Sequence, residues 1–388
     1  VTSPRRAHIG INGQLLSDGQ TYRSAGVSGY IRQLLTHLPE VSPDLRLTAF
    51  VPNGIPLGGR VLNTYSTSWN TGRPVKRILW EQLALPALAQ RKKLDLLHAT
   101  VNVIPIAGTC PMVVTIHDLS FLRYPGSFPP VQRTYLRTQV RRSVRGAARV
   151  IAVSEATRQD LINLFAVPAQ RVDVVYNGVD DAFCPAPADQ VARFRRQKGL
   201  PEHFILHVGT LEPRKNLVRL IHAFALLRRQ TRDWPDLKLV LVGGKGWYYQ
   251  DIFEAVRRLQ LAEEVLFTGF VADRELPWWY RAATVFAYPS LLEGFGLPVA
   301  EAMACGTPTV TSALSSLPEI AGDAALLVDP TSEDELALAL HQVLTDPNLA
   351  RDLRERGLRQ AARFSWKDTA FETANVYRRV LGLPENTL

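Results

Sequence analysis

The run T-V-F-A-Y-P-S at residues 284–290, followed at 293–301 by E-G-F-G-L-P-V-A-E, governs the reading of the whole chain. A short apolar strand, a Gly-rich turn and a helix over 299–304 bring backbone N–H groups and a helix's positive end to one point beyond a sheet. Such a point suits a phosphate or another anion. Gly294 and Gly296 let the backbone approach a ligand, and Pro298 presets the first helical turn without removing a needed donor. A carboxylate stands on each side of the turn. Glu293 lies at the strand's end, where open α/β sheets hold their ligands, and Glu301 lies on the helix. Carboxylates so placed suit paired hydroxyls of a sugar or a ribose. An ordinary strand-turn-helix with solvated glutamates accounts equally well for the glycines alone, because short Gly motifs are weak evidence.

The longer string says more. Glu293, seven residues, Glu301, with G-F-G-L-P between them and A-C-G-T-P-T-V at 304–310 after them, resembles the signature of the retaining nucleotide-sugar glycosyltransferases of family 4, also called group 1. The resemblance implies the GT-B fold: two Rossmann-like, doubly wound α/β domains facing a central cleft. It also implies that Glu293 contacts the donor sugar and Glu301 the nucleotide ribose, with Gly294, Phe295, Gly296 and Leu297 forming the donor-side turn between them.

At 388 residues, 46% apolar and 21% charged, the chain suits two soluble domains of ordinary size. No run of about 18 apolar residues occurs, and a strand-like segment directly follows Pro4-Arg5-Arg6, so neither a membrane span nor a signal peptide is expected. Cys110, Cys184 and Cys305 are widely spaced, odd in number and match no metal-ligand spacing. They read as packing residues in a reducing, cytoplasmic setting. The net charge of +9 is uneven: residues 1–185 carry ten more basic than acidic side chains, the remainder one more acidic than basic. A basic half suits nucleic acid, an anionic membrane surface or a phosphate-bearing substrate.

In chain order, H-I-G-I-N at 8–12 reads as a first strand, and after a polar loop G-V-S-G-Y at 26–30 opens a helix through Leu38. A Gly-rich turn before a helix is an anion site in principle, although Ser28 as an N-cap explains it as well. The resemblance puts Gly26, Ser28 and Gly29 over the donor diphosphate. Residues 45–52 read as a strand and 79–89 as a helix with Trp80, Leu83, Leu85 and Leu88 in the core. Residues 94–99 and 112–116 read as buried parallel strands. His117 and Asp118 end the latter, where an α/β enzyme places chemistry. T-I-H-D-L resembles the family's strand end, which implies that His117 reaches the donor sugar and that Asp118 positions it or caps the next turn. A helix over 131–150 carries Arg133, Arg137, Arg141, Arg142, Arg145 and Arg149 at spacings of mostly three or four. It reads as a solvated basic face, with peripheral contact to an anionic membrane as the other use.

The turn N-G-V-D at 177–180 leads to a Pro-rich link, giving an N-terminal acceptor-side domain over 1–182 and a nucleotide-sugar-binding domain over 183–365. After the strand at 204–208 comes G-T-L-E-P-R-K-N, where Arg214 and Lys215 are placed to bind a diphosphate by charge-assisted hydrogen bonds. E-P-R-K-N resembles the family's pyrophosphate site, which implies that role for both. Many relatives carry Arg directly after the Gly, where this chain has Thr210, leaving Arg214 to supply the charge. By resemblance the loop after the strand at 265–271, starting at Val271, meets the nucleotide base. Trp278, Trp279 and Tyr280 read as packing residues. The final helix, within 366–388, crosses back onto the first domain by the same resemblance.

A-D-R-E-L-P-W-W-Y with L-P-E-I-A-G looks most like bacterial polysaccharide mannosyltransferases. The resemblance therefore implies transfer of a hexose, mannose first, from GDP-mannose to a hydroxyl of a saccharide or lipid-linked saccharide. UDP-glucose or UDP-N-acetylglucosamine as donor, a GT-B epimerase and a non-catalytic nucleotide-sugar-binding protein stay open. No Asp-x-Asp triplet occurs, which fits leaving-group stabilisation without a metal. No cofactor is expected beyond the donor substrate. No recognised nucleic-acid-binding module is present, so nucleic acid is not an expected partner.

Overall fold

The computed structural model describes residues 5–17, 26–55, 63–230 and 234–387. The opening residues 1–4 and most of the polar loop expected after the first strand, at 18–25, lie outside the described residues. The chain divides into two compact units. The first takes in the described residues up to Leu122, then Pro130–Gly178 and the stretch from Ser365 onward; the second comprises Arg123–Pro129 and Val179–Phe364.

In the first unit the strands are His8–Asn12 (β1), Arg46–Pro52 (β2), Asn63–Thr67 (β3), Leu96–Ala99 (β4), Met112–Ile116 (β5), Arg149–Ala152 (β6) and Val172–Val174 (β7). Among the described residues they pair in the order β3-β2-β1-β4-β5-β6-β7, all parallel. Parallel strands covered on both faces read as near-continuous apolar runs, as β5 (M-V-V-T-I) does, whereas β1 (H-I-G-I-N) is buried throughout without being one. β3 gives no such signal: N-T-Y-S-T is mostly exposed and, among the described residues, lies at the sheet edge, paired with β2. The helix Trp366–Leu381 packs against the helix Val27–Val41, and Ser365 caps it by accepting from the N–H groups of Lys367 and Asp368 at 3.1 and 3.2 Å. Its start runs so close to Gly178 that a β-carbon there would overlap the Trp366 backbone. The Tyr377 hydroxyl lies 2.7 Å from His98 Nδ1, and His98 Nε2 lies 2.9 Å from Thr115 Oγ1, so a buried polar relay ties this helix to β4 and β5. Burial, with the neighbouring His117, brings His98 down to about 3, so the ring stays neutral there.

The second unit holds Phe204–Val208 (β8), Lys238–Val242 (β9), Val265–Gly269 (β10), Val285–Tyr288 (β11), Thr309–Ser312 (β12) and Leu326–Val328 (β13). They pair in parallel in the order β10-β9-β8-β11-β12-β13. Ile205, Leu239, Leu241 and Val285 meet Leu220, Ile221 and Phe224 of the helix Leu217–Gln230 and Leu336 and Leu340 of the helix Glu333–Thr345 in one core. Each sheet starts from an inner strand, grows to one side and then resumes on the other. The order reverses between β1 and β4 in one unit and between β8 and β11 in the other, which opens a crevice at the strands' carboxyl ends. Each unit is a doubly wound Rossmann-like domain, the α/β class expected from the sequence.

Two expectations are corrected. Leu83 is 65% exposed while Trp80 and Leu85 are buried. A π-helical turn over Trp80–Ala84 interrupts the helical path from Pro74 to Arg91 and shifts the register that a 3.6-residue period assumes. The basic helix ends at Gly146, and Arg149 instead begins β6, bonded to Asp173 at 2.5 and 2.8 Å. Arg137, Arg141 and Arg145 remain exposed on the helix. No helix among the described residues is long and apolar enough to cross a membrane.

Candidate active site

The reversal point of the second sheet brings together the segment after β8 and the segment after β11. Pro213–Lys215 form a single 3₁₀ turn, and Asn216 follows in the left-handed conformation. Asn216 is held there by its amide, which donates to the carbonyls of Pro289 and Pro330 at 3.1 and 2.6 Å. This geometry points Lys215 inward, 7% exposed, against Glu293, 9% exposed. Lys215 Nζ donates to Glu293 Oε1 and to the Tyr288 hydroxyl, both at 2.6 Å. Oε1 also accepts from Ser290 at 2.6 Å and from Tyr288 at 3.1 Å. Arg214 donates to Glu293 Oε2 at 3.1 Å, to the Leu292 carbonyl at 2.7 Å and to Glu212 at 2.8 Å. Ser315 and Ser316 clamp the Glu293 main chain, donating to its carbonyl at 2.7 and 3.1 Å.

Burial alone would raise the Glu293 carboxyl, but the cations of Arg214 and Lys215, with the hydrogen bonds of Lys215 and Ser290, bring it down to about 2. Glu293 is therefore a fixed anion. An ammonium has three hydrogens to give, and two of those on Lys215 are taken; the third has no partner among the described residues. A buried, preorientated cation with a donor to spare is suited to an anionic oxygen.

Glu301 differs in character. It is half-buried on the helix Leu297–Ala304 and accepts from the Tyr280 hydroxyl at 2.8 Å. Burial pushes its carboxyl up to about 7, with Tyr280 opposing the shift and Asp273 and Asp180 adding to it. Two carboxylates eight positions apart are thus set as a permanent anion and a group that titrates near neutrality. The helix begins two residues earlier than expected, because Pro298 is accommodated in its first turn and Gly296, at φ 106°, takes the turn that no side chain tolerates well. A β-carbon on Gly296 would also press on Leu317.

The other expected donor residues are distributed as follows. Phe295 is buried edge-on against Phe364, with its carbonyl accepting from the Ser316 hydroxyl at 2.7 Å, and Gly294 is buried beside it. Leu297 and Val271 are half-buried, Val271 just beyond β10. Thr210 lies with its methyl against Gly246 and brings no charge to the turn. In the first unit, Gly26 is the N-cap of Val27–Val41 with φ 71°, and a β-carbon on Gly29 would meet nothing within 4 Å among the described residues. Ser28 is neither cap nor open donor: it is buried inside the first turn, and its oxygen accepts from the N–H and hydroxyl of Ser17 at 3.0 and 3.2 Å.

His117 follows β5. Its Nε2 lies 2.9 Å from the Thr100 carbonyl, which can only accept, so Nε2 carries the proton and a neutral ring keeps its lone pair on Nδ1. Burial lowers its pKa, opposed by the Thr100 bond and by Asp118, and the edge of Tyr30 packs 4.8 Å away. Asp118 caps the next turn, accepting from the N–H of Ser120 at 2.9 Å. Tyr288, Ser290 and Tyr280 are the site residues that sequence reading passed over. The available signal was a tyrosine and a serine at the carboxyl end of an otherwise apolar strand.

The family model described as glycosyl transferases group 1 matches residues 189–360, and that described as glycosyltransferase family 4 matches 24–183. The chain is 35% identical over 268 residues to an O-antigen chain mannosyltransferase B of Escherichia coli, covering 69% of this chain and 70% of the relative. It is 30% identical over 335 residues to an MMP alpha-(1->4)-mannosyltransferase of Mycolicibacterium hassiacum, covering 81% and 78%. Among solved structures, a sucrose-phosphate synthase from Thermosynechococcus elongatus superposes with a TM-score of 0.76 at 25% identity, covering 97% of this chain and all of that one. HepE of Anabaena, in complex with UDP and glucose, shares the fold with a TM-score of 0.72 at 22% identity, covering 96% and 100%. With two Rossmann-like units, a Lys215–Glu293 pair at a sheet reversal and these relatives, the chain belongs to glycosyltransferase family 4, group 1, of the GT-B fold.

Proposed function

We propose that this glycosyltransferase moves mannose from GDP-mannose, with retention of configuration and without a metal ion, to a hydroxyl of a saccharide or lipid-linked saccharide during polysaccharide synthesis. The observation that carries the proposal is the buried Arg214–Glu293–Lys215 network at the reversal of the second sheet. Mannose is favoured because the relatives in Escherichia coli and Mycolicibacterium hassiacum are both mannosyltransferases. As the bond from the anomeric carbon to the diphosphate breaks, negative charge grows on the leaving group. The spare hydrogen of Lys215, the guanidinium of Arg214 and the N-terminal end of Leu297–Ala304 meet that charge in place of a cation. Glu293, held as an anion, accepts hydrogen bonds from sugar hydroxyls. Glu301 accepts from the ribose, and His117, with its lone pair on Nδ1, accepts from a sugar hydroxyl. UDP-glucose is the second reading, favoured by the likeness to a protein solved with UDP and glucose.

Thermal melting against GDP-mannose, GDP, UDP-glucose, UDP-N-acetylglucosamine and UDP tests the donor. A ligand at a hundredfold excess over its Kd adds about 2.7 kcal/mol to the native state. GDP-mannose and GDP are expected to raise Tm and the UDP compounds to leave it. The GDP shift is expected to grow from pH 6 to pH 8, because Glu301 accepts ribose hydroxyls best once ionised above about 7. Glu301→Gln should flatten that dependence. A shift confined to UDP compounds moves the donor assignment, and a pH-independent GDP shift removes Glu301 from the ribose.

A further inference from the structure

The first sheet has its own reversal point, between β1 and β4, and its carboxyl-end crevice holds a carboxylate with no part in the donor chemistry above. Asn12 ends β1. Its amide Nδ2 donates to Glu81 Oε1 at 3.2 Å, and its Oδ1 accepts from the N–H of Gln14 at 3.2 Å. Thr100, just past β4, donates its hydroxyl to the Asn12 carbonyl at 2.5 Å and offers its own carbonyl to His117. A chain of three hydrogen bonds, through Thr100 and Asn12, therefore runs from His117 to Glu81.

Glu81 owes this position to the π-helical turn Trp80–Ala84, and single π-turns inside helices concentrate at functional sites. The turn is pinned on its other side by Gln82, which donates to the Ile104 carbonyl at 3.3 Å and accepts from the Ile106 N–H at 2.8 Å. Only 12% of the Glu81 side chain is exposed. Its Oε2 has no hydrogen-bond partner among the described residues, and Arg77, 3.9 Å from Oε1, is too far to donate. Burial raises the carboxyl, opposed by Arg77 and Asn12, and Tyr135 lies within its field. Two residues beyond Asn12, the Gln14 side chain is 3% exposed, and neither its amide nitrogen nor its amide oxygen has a partner among the described residues. Buried polar atoms are nearly always bonded, so the two on Gln14, close in the chain to Asn12 and its carboxylate partner Glu81, call for a ligand rich in hydroxyls. An anionic ligand would meet the carboxylate at close range with no cation bonded to it, whereas a neutral sugar hydroxyl donates to it.

We propose that Glu81 binds the acceptor: Oε2 accepts a hydrogen bond from a hydroxyl of the acceptor saccharide, with the Gln14 amide as a second contact. This rests on the transfer reaction proposed above. The test measures initial rates of transfer from GDP-mannose to p-nitrophenyl α-mannoside for the parent chain, Glu81→Gln and Glu81→Ala, varying each substrate in turn. Glu81→Gln is isosteric and keeps an oxygen for Asn12, so it puts an amide NH2 where Oε2 accepted without opening a cavity. Hydrogen bonds to charged groups predict an acceptor KM raised about tenfold to a hundredfold in both variants, with the donor KM within about twofold. Gln14→Leu should raise the acceptor KM in the same direction by a smaller factor. An acceptor KM unchanged in Glu81→Gln and Glu81→Ala, or donor and acceptor KM rising together, overturns the assignment. A parent chain that transfers from no GDP-sugar overturns the donor reading first and this one with it.

Discussion

Lys215→Ala is expected to lower kcat/KM for sugar transfer by about 10²–10³, the loss typical of removing one donor preorganised for a developing oxyanion. The ammonium sits 7% exposed, fixed at 2.6 Å by both Glu293 and Tyr288, with one hydrogen left to give. It is already desolvated and held in place before substrate arrives, so in the proposed reaction its interaction with the diphosphate would cost no reorganisation and would strengthen as the leaving group gains charge. The effect should therefore fall mainly on kcat, with donor KM changing less. Lys215→Arg is not expected to rescue, because a planar fork cannot occupy a slot shaped for a compact point charge between Tyr288 and Glu293. Steady-state kinetics with donor and acceptor varied separately check this. Transfer at the parent rate in both variants would take Lys215 out of the reaction.

Glu293→Ala is expected to damage both the fold of the second unit and the reaction. It removes the anion that compensates Lys215 and Arg214 at 2.6 and 3.1 Å, leaving buried positive charge. Breaking a buried pair from one side typically costs about 3–5 kcal/mol. For a unit of this size that corresponds to a fall in Tm of about 6–20 °C. The pH dependence has a definite sign. A carboxyl held at about 2 in the native state takes up fewer protons than its unfolded counterpart, so its stabilisation is complete above its ordinary value near 4.5 and is lost as pH falls toward 2. The parent should lose stability through that acid window more steeply than Glu293→Gln, which carries no titrating group there. Melting curves from pH 7 down to pH 3 on both proteins check it. A Glu293→Ala Tm within about 2 °C of the parent would mean that the pair is not buried as described.

Both effects concern residues that the sequence made legible. E-P-R-K-N and the string from Glu293 to Glu301 stand out because the tight turns and buried ion pair they build at strand ends demand specific residues in short order. The parallel sheets were legible because strands buried on both faces, such as β5 and β8, read as apolar runs. Other features follow from long-range geometry that no local pattern carries. Tyr288 and Lys215 are 73 residues apart, and their contact exists only because β8 and β11 lie side by side at the reversal. Tyr280 looked like packing and does pack, yet its hydroxyl also holds Glu301. β3 had no apolar face to betray it, since its place comes from β2's main chain. The π-turn defeated a 3.6-residue reading, which put Leu83 in the core and left Glu81 unremarked. Ser28 fitted an N-cap rule in sequence, but the helix is capped two positions earlier, at Gly26, and the Ser28 oxygen accepts from Ser17 instead.

The most direct test of the central claim is the anomeric configuration of the product formed from GDP-mannose and p-nitrophenyl α-mannoside in the presence of excess EDTA, read by the one-bond carbon–proton coupling at the new linkage. Retention without a metal predicts an α-linked mannosyl product at an undiminished rate. A β-linked product would contradict retention, and transfer abolished by EDTA and restored by a divalent cation would contradict the account of Lys215, Arg214 and the helix N-terminus as the groups that carry the leaving-group charge.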